Sequence, residues 1–218
     1  MKKIILFDID HTLFDTYKFR NLTYKKLASK LGLVFDEKFI EKTKEAEEVS
    51  SKAAGFYEPD LFMKNLIDLC EVNFELADLR KEFWKKENFV RSLYPDVKNV
   101  LKKLSEEKDL LIGILSTGDS NYQKKKIEIV KHYMQDEHIH IFVDKLAELQ
   151  EVVKKYEKHQ IFVVDNLLSI LELAKKINSK VQTVHIKRPV SWHGNIVVNF
   201  RPDEEIKSLS SLLKIVGN

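Results

Sequence analysis

Five short apolar runs punctuate the chain, at Ile4–Phe7, Leu110–Leu115, Ile139–Val143, Ile161–Val164 and Val181–Ile186, and each ends in polar or small residues. Runs of this length without polar alternation predict strands buried on both faces. Helical spacing fills the gaps between the last four, over Tyr122–Tyr133, Leu146–Tyr156 and Leu167–Ile177, where Leu168, Leu171, Ala174 and Ile177 make one apolar stripe. Strand alternating with helix predicts an α/β fold with a mostly parallel sheet flanked by helices.

About a hundred residues separate the first two strands, whereas a parallel crossover with its helix needs only about a dozen or more. The excess has helical periodicity at Leu22–Leu31, Glu37–Ser50, Leu61–Leu69 and Leu76–Phe89. It therefore predicts an inserted all-helical domain at residues 16–91, set into a sheet domain made of 1–15 and 92–218. Gly32 is placed to terminate the first of these helices and Pro59-Asp60 to start the third. The sheet domain resumes at Tyr94-Pro95 with a helix over Asp96–Leu104, and hinge points are expected at Phe14–Tyr17 and Phe89–Leu93. Near the C-terminus, Asn195–Phe200 reads as a short extended segment and Asp203–Leu213 as a helix.

Composition narrows the function classes. With 44% hydrophobic and 33% charged residues in 218, the chain can build a core that buries roughly 70% of its unfolded surface, which excludes global disorder. The 37 Lys and Arg nearly balance 34 Asp and Glu, and residues 15–92 carry equal numbers of each sign. No basic footprint for nucleic acid results. Cys70 is the only cysteine, so an intrachain disulfide is impossible and a reducing compartment fits. The N-terminal apolar run stops at Asp8, too short for an export signal, and no stretch has the length of a membrane span. The expectation is a cytoplasmic protein with no membrane partner. P-loop, dinucleotide-binding, G-x-S-x-G and H-E-x-x-H patterns are all absent, which removes support for those enzyme classes.

Candidate chemistry concentrates where strands end. In Phe7-Asp8-Ile9-Asp10-His11-Thr12-Leu13 the first strand stops at an acid, which puts Asp8 at the carboxyl edge of a parallel sheet, where ligands bind. Period-2 geometry would turn Asp8 and Asp10 to the same side. Two acids so placed need a cation or a shared proton; alternatively one caps a helix and the other is solvated. Ser116-Thr117-Gly118 closes the second strand with hydroxyls and a glycine ahead of a helix, suited to an anion or to a simple N-cap. Lys145 follows the third strand and Asp165 ends the fourth.

In this order, a strand-end Asp pair, a strand-end Ser/Thr, a Lys and another strand-end Asp resemble the haloacid dehalogenase-like superfamily of hydrolases, over residues 1–14 and 93–213. The helical insertion lies where members with a C1-type helical cap carry it. The resemblance implies a Rossmann-like core and the phosphatase branch, hydrolysing a small soluble phosphate monoester through an aspartyl-phosphate. It makes Asp8 the nucleophile and Asp10 the general acid and base. Ser116 and the Thr117 and Gly118 amides would bind phosphate, and Lys145 would neutralise charge on both the phosphate and Asp8. Mg²⁺ would be held by Asp8, the Asp10 carbonyl and Asp165. Dehalogenases of the superfamily lack an acid at the position of Asp10, which favours phosphate chemistry. The chain departs from the pattern at Ser169, where many members have a second acid, at Val164 in place of Gly, and after Lys145, where Pro is missing and Lys154 and Lys155 compete for the role. A phosphomutase or phosphotransferase, or a binding module whose metal site has decayed, remains as an alternative. Substrate identity and oligomeric state stay open.

Other residues are weighed against bland roles. His11 is expected to be a partly exposed loop histidine, and His138 and His140 a satisfied or surface pair on one strand rather than a zinc site. The aromatics of Gly55-Phe56-Tyr57-Glu58-Pro59 are expected to pack the helical bundle rather than meet substrate. Lys18 and Arg20 are expected on a solvated helical face. Trp192-His193-Gly194 lies in the loop after the fifth strand, beside or away from the cleft.

Overall fold

The computed structural model describes residues 2–189 and 199–217. Six strands form one sheet: β1 (Lys3–Phe7), β2 (Leu110–Thr117), β3 (Ile139–Phe142), β4 (Gln160–Asp165), β5 (Gln182–Ile186) and β6 (Glu204–Ile206). Their order is β3-β2-β1-β4-β5-β6 and every neighbouring pair is parallel. The winding reverses between β1 and β4, and in open parallel sheets that reversal opens a crevice at the carboxyl ends of the strands. The alternation along β1 explains why its whole run is apolar. Ile5 and Phe7 enter the core on one face, Ile4 and Leu6 the core on the other, and all four are fully buried.

Between β1 and β2 the chain forms α1 (Thr16–Lys30), α2 (Glu37–Ala54), α3 (Pro59–Cys70), α4 (Leu76–Phe83) and α5 (Lys86–Val90). Sequence signals set their ends. Asp15 and Asp36 accept the amides of Lys18 and Phe39, Glu58 accepts those of Asp60 and Leu61 with Pro59 in the first turn, and Gly32 follows α1 with φ of 71°. The helix expected over Leu76–Phe89 is divided at Trp84-Lys85. There the buried Asn88 side chain donates to the Glu82 and Phe83 carbonyls at 2.8 and 3.2 Å, satisfying acceptors that the break would leave open.

The insertion and the sheet share packing. Phe19 of α1 lies 5.4 Å from Phe14, 4.8 Å from Phe89 and 5.9 Å from Tyr122, ring centre to ring centre. The two connections also pair as backbone: the Asp15 amide donates to the Ser92 carbonyl at 2.7 Å and the Tyr94 amide to the Leu13 carbonyl at 3.1 Å.

Around the sheet lie α6 (Val97–Ser105), α7 (Ser120–Ile127), α8 (Lys145–Lys155), α9 (Leu168–Ile177) and α10 (Leu212–Gly217). The helix expected over Tyr122–Tyr133 stops as an α-helix at Ile127, with a separate 3-10 turn at Lys131–Tyr133. The C-terminal reading also changes. Residues 204–206, expected in a helix, form the edge strand β6, in which only Ile206 is buried and Glu204 and Glu205 face water. A three-residue strand with one inward side chain leaves no periodic trace. Trp192-His193-Gly194 and most of Asn195–Phe200 fall outside the described residues. Among the described residues no helix is long and apolar enough to cross a membrane.

Candidate active site

Strand register assembles the first part of the site. β1 pairs Phe7 with Val164 of β4, so the following residues, Asp8 and Asp165, emerge side by side at the reversal of the sheet. On the other side Phe7 pairs with Ile114 of β2, which brings Ser116 to the same edge. Lys145, at the start of α8, extends its ammonium between the two acids, donating to Asp8 Oδ1 at 2.6 Å and to Asp165 Oδ2 at 2.8 Å. All three residues are at least 94% buried. Lys155, one of the competing lysines, instead donates to the Glu137 carbonyl, and Lys154 is exposed.

The charges in this cluster do not balance. Two buried carboxylates face one ammonium, and burial, the Lys145 charge acting against it, and the nearby Asp165 and Asp10 together push the Asp8 carboxyl up to about 7. Burial alone would lower the Lys145 ammonium, but Asp165 and Asp8 outweigh it and raise it. Surplus negative charge among oxygen donors in a dry site is what a hard divalent cation neutralises, so the donor set fits Mg²⁺. Asp8, Asp165 and the Asp10 carbonyl are the groups that would hold it.

Asp10 has partners that the sequence reading missed. Its carboxylate receives Lys126 Nζ at 2.6 and 2.8 Å, Gln123 Nε2 at 2.9 Å and the Thr16 hydroxyl. Burial pushes the Asp10 carboxyl up, but Lys126, Thr16 and Gln123 reverse this and hold it well below the usual carboxylate range. Asp10 is thus poised as a carboxylate. Lys126 is 2% exposed and sits 4.1 Å above the Tyr122 ring centre, a further cation–π contact. The α7 face that carries Tyr122, Gln123, Lys126 and Ile127 is the buried one, and that i, i+4 spacing is the signal that could have found it.

At the end of β2, Ser116 is buried and Thr117 is exposed, and Gly118, the next residue, has φ of 129°. A Cβ at Gly118 would stand 3.0 Å from Gln123 Nε2. One expected phosphate donor is spent elsewhere: the Gly118 amide donates to the Phe142 carbonyl at 2.8 Å, because β3 runs alongside to that point. Ser116, Thr117 and Lys145 remain at the cavity wall.

A cavity of about 840 Å³ joins this edge to the helical insertion. Four residues expected in bland positions line it. His11 is buried, not partly exposed; its φ of 59° turns the ring against Tyr17, 4.9 Å between centres, and leaves Nδ1 without a partner. Arg20 lines the cavity instead of lying on a solvated face, while Lys18 is exposed. Tyr57 both packs on Phe62 and Tyr122 and borders the cavity, with Phe56 beside it. His138 and His140 are a satisfied pair: Nδ1 of the first and Nε2 of the second meet the Tyr156 hydroxyl at 3.0 and 2.8 Å.

Arg188 braces the site from behind. Its guanidinium donates from Nε and Nη2 to the Thr12 carbonyl at 3.2 and 2.9 Å, and from Nη1 and Nη2 to Asp96 at 2.9 and 3.0 Å. The loop carrying Asp8 and Asp10 is thereby tied to the start of α6.

A doubly wound parallel sheet with an acidic cluster and a lysine at its reversal point defines the class of protein. A family model described as haloacid dehalogenase-like hydrolase matches residues 5–141. The chain belongs to that family and is a hydrolase of it. No curated protein matches the sequence significantly. Among solved structures, a haloacid dehalogenase-like hydrolase from Burkholderia xenovorans superposes with a TM-score of 0.73 at 20% identity, covering 98% of each chain. A HAD-hydrolase from Bacillus subtilis, bound to magnesium, gives 0.68 at 14% identity over 100% of this chain and 99% of that one. A protein predicted to be a phosphoglycolate phosphatase, from Haemophilus somnus, gives 0.60 at 17% identity over 99% and 98%. Structures of dehalogenases are similar as well. At these identities the likeness is one of fold.

Proposed function

We propose that the protein is a Mg²⁺-dependent phosphatase that hydrolyses a small phosphate monoester through an aspartyl-phosphate on Asp8. The observation that carries this reading is the buried Asp8–Lys145–Asp165 cluster, two carboxylates sharing one ammonium beside Ser116. Asp8 attacks phosphorus, its carboxylate oxygen forms a bond to it, and the bond to the leaving oxygen breaks. Water then attacks the same phosphorus and the acyl-phosphate bond breaks, returning the Asp8 carboxylate. One hard displacement becomes two easier ones.

Lys145 and the hydroxyls of Ser116 and Thr117 orient and neutralise the phosphoryl oxygens. Asp8, Asp165 and the Asp10 carbonyl would hold Mg²⁺, which when bound would supply positive charge to offset two approaching anions. Asp10 serves in both halves: protonated, it gives its proton to the leaving alkoxide; ionised, it takes one from the attacking water. Its contact with Lys126 favours the ionised form, so the second role is the better supported. The presence of an acid at this position favours phosphate over halide as the leaving chemistry. Residues 16–91 act as a cap that closes the cavity and excludes water.

Purified protein should release phosphate from an aryl phosphate with Mg²⁺ and lose that activity on chelation. Asp8→Asn should abolish turnover while its circular dichroism spectrum stays that of the wild type. Activity retained by the folded variant would refute Asp8 as nucleophile.

A further inference from the structure

The half of the cavity formed by the helical insertion has a charge pattern that selects a leaving group. Among the described residues, every cation along the wall is already matched. Lys145 lies between Asp8 and Asp165, Lys126 is held by Asp10, and Arg20 Nη2 meets Glu47 Oε2 at 2.9 Å. The second Glu47 oxygen receives the Tyr24 hydroxyl. A second phosphate or carboxylate on the substrate would therefore meet a neutral pair with an acid behind it, and no spare positive charge.

Hydrogen-bonding capacity and flat apolar surface are, by contrast, plentiful. The Arg20 guanidinium carries five N–H donors, one of which is engaged by Glu47, and its side chain is 37% exposed. The Tyr57 hydroxyl lies near that of Tyr24 yet is buried without a hydrogen bond of normal geometry. Gln123 gives both its amide hydrogens to acceptors, Asp10 and the Thr117 carbonyl, which fixes its orientation and leaves Oε1 buried and unpartnered. Tyr17, Phe56 and Tyr57 line the same cavity. The 840 Å³ of space is far more than a phosphate group alone occupies, and it lies within the range of sites that enclose whole small molecules.

Resting on the phosphatase reading, we infer that the substrate is a phosphate monoester of a neutral, ring-bearing alcohol, a nucleoside or a cyclic sugar. Its ring stacks on the Tyr and Phe faces and its polar edge is read by Arg20 and Tyr57. Esters that carry a second anion are discriminated against by Glu47. Arg20 is thus a specificity-determining residue that touches the leaving group rather than the reacting phosphorus, and Glu47, behind it, acts through Arg20.

The test uses the full-length enzyme with Mg²⁺ and compares kcat/KM for methyl phosphate, adenosine 5′-monophosphate, glucose 6-phosphate and phosphoglycolate. At least one of the two ring esters should exceed methyl phosphate and phosphoglycolate by roughly tenfold or more, the size expected for one or two ring-stacking contacts. The nucleotide and the sugar arms tell the two sources of a neutral ring apart. Arg20→Lys keeps the charge opposite Glu47 but loses the planar fork, and should narrow the ring ester's advantage several-fold. Glu47→Gln releases Arg20 as an unmatched cation, and should raise phosphoglycolate relative to methyl phosphate by about tenfold. Turnover of methyl phosphate with no ring preference, a wild-type preference for phosphoglycolate, or a Glu47→Gln variant whose ranking does not move would overturn this inference while leaving the phosphatase reading intact. No turnover of any ester would overturn both.

Discussion

Replacing Asp96 by Asn tests how the fold holds its reactive loop. Asp96 accepts four hydrogen bonds: two from Arg188 at 2.9 and 3.0 Å, one from the Ser208 hydroxyl at 2.7 Å and one from the Leu209 amide at 2.8 Å. Side-chain exposure is 14% for Asp96 and 4% for Arg188. Breaking a buried pair by removing one charge costs about 3–5 kcal/mol, because the other charge is stranded. Oδ2 accepts three of these bonds and Oδ1 one, so an Asn oxygen in the Oδ2 position keeps three donors and sets its amide against Arg188 Nη2; with the partial solvent contact of Asp96 the cost here should be roughly 2–3 kcal/mol. For a chain of this length that lowers Tm by about 8 °C.

The pH dependence has a definite sign. Burial raises the Asp96 carboxyl, but the hydrogen bonds from Arg188 and Ser208, with the Arg188 charge and the Leu209 amide, lower it below its ordinary value. A depressed carboxylate contributes stability that is complete above its unfolded value of about 4 and is lost as the pH falls through its folded value. Urea unfolding of wild type and Asp96→Asn should therefore differ most at pH 7 and converge in acid. Because Arg188 also grips the Thr12 carbonyl, four residues from Asp8, the variant should lose turnover under conditions where it is still folded. An unchanged midpoint at pH 7, or a difference that persists undiminished well below pH 4, would refute the reasoning.

Two further outcomes follow from the same geometry. Lys126→Met removes the ammonium that holds Asp10, and turnover should fall at least about tenfold in a folded protein, the lower end of what a positioned acid–base group contributes; an unchanged rate would show that Asp10 works without it. Gly113→Ala places a Cβ 2.7 Å from the His138 carbonyl oxygen and 2.9 Å from Leu6 Cδ2, which should cost about 1–3 kcal/mol as the strands are forced apart, and an unaltered Tm would contradict that contact.

Sequence and structure agree where periodicity and position coincide. The strand-end acids Asp8 and Asp165 are legible because each closes an apolar run, and parallel register then brings them together, whereas Lys145 opens α8 after Asp144 and is picked out only by the resemblance. Lys126 is not legible in that way. It is the third of three consecutive lysines, of which the first is exposed and the third is buried, and only its i, i+4 spacing from Tyr122 within α7 sets it apart, the ammonium lying 4.1 Å from that ring centre and 5.4 Å from that of Phe14. The same holds for Arg20, whose helix face resembles a solvated one until the cavity is seen. β6 escapes for a different reason. Its pairing to β5 is a backbone matter, and two exposed glutamates hide it. Gly118 shows a residue whose position is legible and whose amide is not, since the neighbouring strand decides what it binds.

Acid quenching of the enzyme within a single turnover of an aryl phosphate, followed by mass spectrometry of its peptides, tests the nucleophile most directly. A phosphoryl group should be found on the peptide containing Asp8 and nowhere else, and it should be missing from Asp8→Asn. Full turnover with no phosphorylated peptide at any time point, or with the label on another residue, would contradict the assignment of Asp8.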